Sequence, residues 1–207
     1  MTQARPYRGV ALEQRRDLRR HALLETGLDC LAADGLSGVS VRSICARSRL
    51  TPRYFYESFA DLDALLVAAV DAVAAEVAEV ALAAIEVAPD DLVAQVRAAV
   101  DAGYGVVASD RRKANALLVA GAGHGPLLDR RQEIIMQYAE LALANLPLLG
   151  RLTATDRRRA RATALFLIGG SAELIGAVLS GTLRLPRARV VDQLTALWVA
   201  VLTQRVP

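Results

Sequence analysis

The sequence predicts an all-α fold of about nine helices, with a small three-helix unit leading into a larger helical bundle. Three observations predict it. Nearly every long segment of the 207-residue chain is rich in Ala, Leu, Val, Arg and Glu, with apolar residues at helical spacing. Alternating apolar and polar runs bounded by turn signals, the mark of strands, are missing. Pro, Gly and Asp punctuation divides the rest of the chain at intervals that suit helices. An apolar share of 54% is ample for a core.

The elements follow in order. Residues 1–12 form a basic N-terminal arm, and the first helix runs from Glu13 to Asp34, with Leu24, Leu28 and Leu31 on one face. Gly35 ends it in the position glycine favours after a helix. Ser40 is a natural N-cap for a short second helix that turns Val41, Ile44 and Cys45 inward. Thr51 supplies the next N-cap, with Pro52 at the first helical position, where its missing N–H costs nothing. Asp61 caps a fourth helix that continues to Val87, where Ala88-Pro89 forbids extension. Breaks at Pro89-Asp91, Ser109-Asp110, Gly121-Pro126, Pro147-Gly150 and Gly181-Pro186 leave about five more helices, the last two at 162–183 and 187–204. The expected division is 13–60, continuing into the start of the fourth helix, and 61–207.

Composition narrows the function classes. Residues 1–60 hold ten arginines against six acids, a net of +4, whereas the remaining 147 residues are close to neutral. The first third can therefore attract an acidic polymer such as DNA, or an anionic membrane surface. Cys30 and Cys45 sit in apolar helical patterns and read as small buried residues in a reducing, cytoplasmic setting. The N-terminal residues lack the apolar stretch of a signal peptide. Residues 162–183 are long and apolar enough to span a bilayer, but Glu173 near the middle would be costly there. A helix buried on most sides is the better expectation, with no membrane partner. No Ser-His-Asp set, metal-ligand spacing or phosphate loop stands out, so the expectation is a non-enzyme with no cofactor and no metal. A helical enzyme and a peripheral membrane protein with a basic N-terminal face are the competing classes.

The aromatic-rich stretch "LTPRYFYESF", residues 50–59, carries the functional argument, because the chain holds only nine Phe, Trp and Tyr in all. At 100° per residue Phe55 and Phe59 share a core face, while Arg53 and Tyr54 point away and Tyr56 falls at the seam. Two short helices joined by "RSRLT" make a helix-turn-helix, whose second helix can enter the DNA major groove. Arg53 can fork onto guanine, Tyr54 can stack or meet a thymine methyl, and Thr51 and the Tyr56 hydroxyl can donate to phosphate. Pro52 starts the helix. Arg42, in the first turn of the preceding helix, and Arg49, in the turn, lie within reach of the backbone.

The stretch "GLSGVSVRSICARSRLTPRYFYESFADLDALLVAAV" resembles the DNA-binding region of TetR-family transcriptional repressors, with Val41, Ile44, Ala46, Leu50, Thr51, Phe55, Tyr56, Phe59, Leu65 and Leu66 in register. The likeness covers residues 14–70. It implies a ligand-responsive regulator, more a repressor than an activator, which binds a palindromic double-stranded operator as a homodimer and is released by a small molecule. It assigns phosphate contacts to Thr51 and Tyr56, and base contacts to Arg53 and Tyr54. Three positions depart from the pattern. Arg49 stands where glycine is common and must accept either a less comfortable backbone or a slightly different turn. Arg53 replaces a small residue, and Leu62 replaces a lysine that would meet phosphate, although free N–H groups at that helix start can still face one.

The resemblance places a homodimer interface in the last two helices, where Gly169, Gly170, Gly176 and Ser180 allow close approach, between subunits or within one. It also places a ligand cavity among the middle helices. Polar and aromatic candidates for its lining are Tyr104, Asn115, His124, Met136, Tyr138, Phe166, Glu173 and Trp198. Tyr138 and Trp198 suit a core equally, and His124 lies in the Gly-rich "GAGHGP". Glu173 stands out because an acid in so apolar a helix needs a partner or a polar cavity. The scarcity of aromatics favours a largely apolar, aliphatic or acyl ligand.

Overall fold

The computed structural model describes residues 8–119, 125–145 and 154–203, and among them the chain forms nine helices and no strand. These are α1 (Arg8–Gly38), α2 (Val41–Ser48), α3 (Pro52–Ser58), α4 (Leu62–Val87), α5 (Leu92–Ser109), α6 (Arg111–Val119), α7 (Gly125–Asn145), α8 (Ala154–Leu179) and α9 (Arg187–Thr203). They divide into two compact units, Met1–Val70 and Asp71–Pro207. The all-α expectation holds, helix count included.

In the first unit α1 packs on α2 and α3, which pack on each other. Leu23, Leu31, Ile44 and Phe55 of these helices are fully buried, as are Leu65 and Leu66 from the start of α4. Gly27 lets α1 and the start of α4 come together, since a Cβ there would stand 2.6 Å from Leu65 Cδ2. Gly35 interrupts α1 with φ 64 and ψ −178, the left-handed backbone expected of it. The helix starts earlier than expected, at Arg8 rather than Glu13. Within this extension Leu12 is 63% exposed. Ser40 forms a reciprocal capping box with Ser43, each side chain bonding the other's backbone N–H at 3.0–3.1 Å. Burial pushes the Cys30 and Cys45 thiols above their ordinary value, which keeps them protonated and unreactive at neutral pH.

In the second unit α7 runs along α8, and α5 along α9. Asp91 caps α5 by accepting from the Ala94 N–H at 2.8 Å. Tyr104 packs on Val190 and Leu194, and Val96 and Leu167 pack on Trp198, whose Nε1 donates to Ser171 Oγ at 3.0 Å. Arg187 lies where Gly105 leaves room on α5, and its Nε donates to Asp101 Oδ1 at 2.8 Å. Arg97 pairs with Asp192 at 2.6 Å along the same two helices.

Two expectations for α8 need correction. It begins at Ala154 rather than 162, because the basic stretch before the apolar run is helical too. It was also expected to be buried on most sides. Among the described residues it is the one helix long and apolar enough to cross a membrane, yet only 17% of that stretch is buried. Phe166 is 74% exposed, Leu165 is open beside it, and Leu197 on α9 is 46% exposed. Gly169 and Gly170 have open space where a Cβ would stand, so none of the described helices uses them for close packing.

Candidate nucleic-acid interface

The geometry of α2 and α3 starts from their turn. Arg49 takes the left-handed conformation, φ 57 and ψ 31, and is the only described non-glycine residue with positive φ. Its N–H and that of Leu50 both close on the Cys45 carbonyl, which ends α2 and redirects the chain into α3. The strain expected of an arginine at this position is therefore present, about 1–2 kcal/mol for a side chain in this region. The guanidinium end stays in solvent, as does that of Arg42 at the start of α2.

Thr51 occupies the N-cap of α3 with extended backbone, but its hydroxyl makes no cap hydrogen bond. The Thr51 carbonyl accepts the first helical N–H groups, from Tyr54 at 3.0 Å and Phe55 at 3.3 Å. The exposed hydroxyl is thus not engaged by the helix it starts. Pro52 follows at the first helical position, where no donor is lost. Phe55 is fully buried and Phe59 is 5% exposed, with their rings 5.9 Å apart. These two anchor the helix and leave its other side to solvent.

On that outer side Arg53 is 84% exposed, and its Nε donates to Glu57 Oε1 at 3.0 Å, one turn along. Tyr56 is 60% exposed and packs edge-on against Phe55, with centroids 5.3 Å apart and planes at 80°. Tyr54 differs from expectation. Pointing away from the core, it is nevertheless half-buried, because the Arg19 guanidinium of α1 lies 4.5 Å from its ring centroid. A single helix's periodicity cannot show what a long side chain from another helix will cover. Asp61 Oδ1 accepts the Ala64 N–H at 2.8 Å, the cap expected of it, and places a negative charge at the start of α4.

Among the described residues the interior candidates stand in different surroundings. Tyr104 and Trp198 are core residues, and Asn115 is half-buried on α6. Tyr138 donates to the Ala74 carbonyl at 2.7 Å, and burial pushes its hydroxyl well above the usual tyrosine value. Met136 borders an open depression of about 500 Å³ on α7, beside Asp129 and Glu133. Phe166, expected to line a pocket, stands exposed; Glu173, expected to meet either a polar cavity or a partner, is exposed too and pairs with Arg131 of the same chain. His124 lies outside the described residues. Sequence reasoning missed Gln95, which is 8% exposed and whose Oε1 has no hydrogen-bond partner among the described residues. The polar signal was there, but an isolated Gln in an apolar helix gives no direction for its side chain.

The chain thus combines a small core-anchored helix-turn-helix unit, whose second helix is exposed and bears an arginine, with a larger helical unit. No protein-family model matches the sequence, and no curated protein matches it. Solved structures do. The chain is similar to one described as a transcriptional regulator from Pseudomonas aeruginosa PAO1, at 22% identity over 90% of this chain and 91% of that one, with a TM-score of 0.73. It is similar to the fatty acid degradation regulator FadR from Bacillus halodurans, at 14% identity over 91% and 96%, TM-score 0.73. A TetR-like transcriptional regulator from Rhodococcus sp. RHA1 aligns at 20% identity over 90% and 97%, TM-score 0.62. At these identities the likeness establishes the fold, which is that of TetR-type regulators.

Proposed function

We propose that the chain is a TetR-family transcriptional regulator that binds a palindromic operator as a homodimer. The observation that carries this reading is α3. Phe55 and Phe59 pin one side of a short helix, while the other offers an unused Thr51 hydroxyl, the Arg53 guanidinium and the Tyr56 ring to solvent. Arg53 and Tyr54 are assigned to base edges; Thr51, Tyr56, Arg42 and Arg49 are assigned to phosphates. Pro52 sets the start of the helix against the backbone.

The exposed apolar side of α8 and α9 supports the homodimer. Phe166, Leu165 and Leu197 stand open beside the unfilled space at Gly169 and Gly170, which suits a second copy of the same helices. Two copies related by a two-fold axis carry two reading helices, as a palindrome requires. The protein acts in the cytoplasm, by binding rather than catalysis, and as a repressor.

A small, largely apolar molecule held in the second unit releases it from DNA. The buried Gln95 amide oxygen supports an interior site for a hydrogen-bond donor on such a molecule. The structural likeness to a fatty acid degradation regulator favours acyl chains as the first class to try. The experiment is enrichment of a randomised duplex pool by the full-length protein. The reading expects a two-fold symmetric motif, and recovery of unrelated sequences at equal frequency would reject it.

A further inference from the structure

α1 places three arginines on one face, at i, i+3 and i+4, directly over α3. Arg16 Nη2 donates to the Glu57 carbonyl at 3.3 Å, and Arg20 Nη1 donates to the Ser58 carbonyl at 3.2 Å. These are the last two carbonyls of α3, groups that a helix end leaves without an internal partner. A seven-residue helix has little stability of its own, and cations at its C-terminus meet the negative end of its dipole. Arg20 also lies 4.4 Å from the Phe59 ring centroid, and Arg19 lies 4.5 Å from that of Tyr54. The same stripe continues one turn on into Leu23, which is fully buried.

We propose that Arg19 is a positioning residue for base reading: its guanidinium fixes the Tyr54 ring on the outer side of α3, while Arg16 and Arg20 hold the end of that helix. Arg19 then acts through Tyr54 rather than by touching phosphate. This rests on the DNA-binding reading of α3 and says which residues outside the helix-turn-helix set its selectivity. A planar guanidinium stacks on a ring, whereas a lysine ammonium does not reproduce that geometry. A phosphate contact would accept either cation.

The test uses full-length protein, the duplex that the wild type enriches from a randomised pool, and a scrambled duplex, with affinities measured across a salt series. Arg19→Gln and Arg19→Lys should each weaken the selected duplex by roughly three- to tenfold relative to the scrambled one. The salt slope should stay unchanged, and Arg19→Gln should cost nothing further in a Tyr54→Ala background. Three results would overturn the proposal: Arg19→Lys matching the wild type, losses that add across Arg19 and Tyr54, or a slope reduced by about 0.9, the value for one lost phosphate contact. If the wild type enriched no sequence, the DNA reading itself would fall and this proposal with it. Enrichment with additive losses would remove this proposal alone.

Discussion

Arg53 and Glu57 are joined across one turn of α3, the arginine Nε donating to the carboxylate at 3.0 Å. The pair is solvent-exposed, so its net stabilisation is small, a few tenths of a kcal/mol. Its consequence is directional. With Nε engaged, the two terminal nitrogens form the edge that a guanine would meet.

Arg53→Ala should cost about 1–3 kcal/mol of discrimination at one base pair. Glu57→Ala should reduce the same discrimination while binding unrelated DNA as tightly as the wild type or more so, because it removes a negative charge from the surface proposed to meet phosphate. Competition between the selected duplex and one altered at that base pair measures both. Equal change on both duplexes would contradict the role given to Glu57.

Arg49→Gly should stabilise the protein by up to about 1 kcal/mol, since glycine adopts the φ of 57 without the side-chain penalty. It should also weaken DNA binding without changing sequence preference, because the lost cation is assigned to the backbone. Thermal melts and affinities on two unrelated duplexes separate these effects. A lower melting temperature would mean that the Arg49 side chain contributes a contact worth more than the strain.

Phe166→Asp should shift the protein from dimer to monomer at micromolar concentration and leave the monomer folded, because the ring is 74% exposed within one subunit. Light scattering with circular dichroism reads both. An unchanged mass would place the subunit contact elsewhere and leave the open side of α8 available to another apolar partner, a bilayer among them.

Asp110 gives the stability an acid limit and Tyr138 an alkaline one, the latter shared with the raised Cys30 and Cys45 thiols. The Arg112 hydrogen bonds hold the Asp110 carboxyl below its ordinary value, so its contribution is present above about pH 4 and is lost as pH falls through the lowered folded value. Asp110→Asn keeps the acceptor that caps α6 and removes the charge. It should cost about 0.5–1 kcal/mol at neutral pH, narrowing towards zero in acid. Burial raises the Tyr138 value, so its contribution is present below about pH 10 and is lost as pH rises beyond that. Denaturant melts from acid to alkaline pH, with Tyr138→Phe as the second comparison, check both signs.

The legible parts of this chain were those set by local chemistry. The Ser40 cap, the Ala88-Pro89 stop after Val87 and the split of Phe55 and Phe59 from Arg53 each follow from a few adjacent residues, and each is found where expected. The parts that were not legible depend on another helix. Tyr54 is half-covered because Arg19 reaches it from α1, and the Glu173 charge is met by Arg131 of α7. α8 looked like an interior helix because apolar content is the same whether a helix is buried in its own subunit or left open for another. Gln95 passed unnoticed because an unpaired buried acceptor is defined by its surroundings.

The central claim is that α3 reads DNA as one of a symmetric pair. Hydroxyl-radical footprinting on the DNA beside the protein's own gene tests it most directly, with wild type and Arg53→Ala side by side. The wild type should give a two-fold symmetric protected site that fades with Arg53→Ala at concentrations where the variant remains folded and dimeric. Absence of any protected site, or a footprint that Arg53→Ala leaves intact, would contradict it.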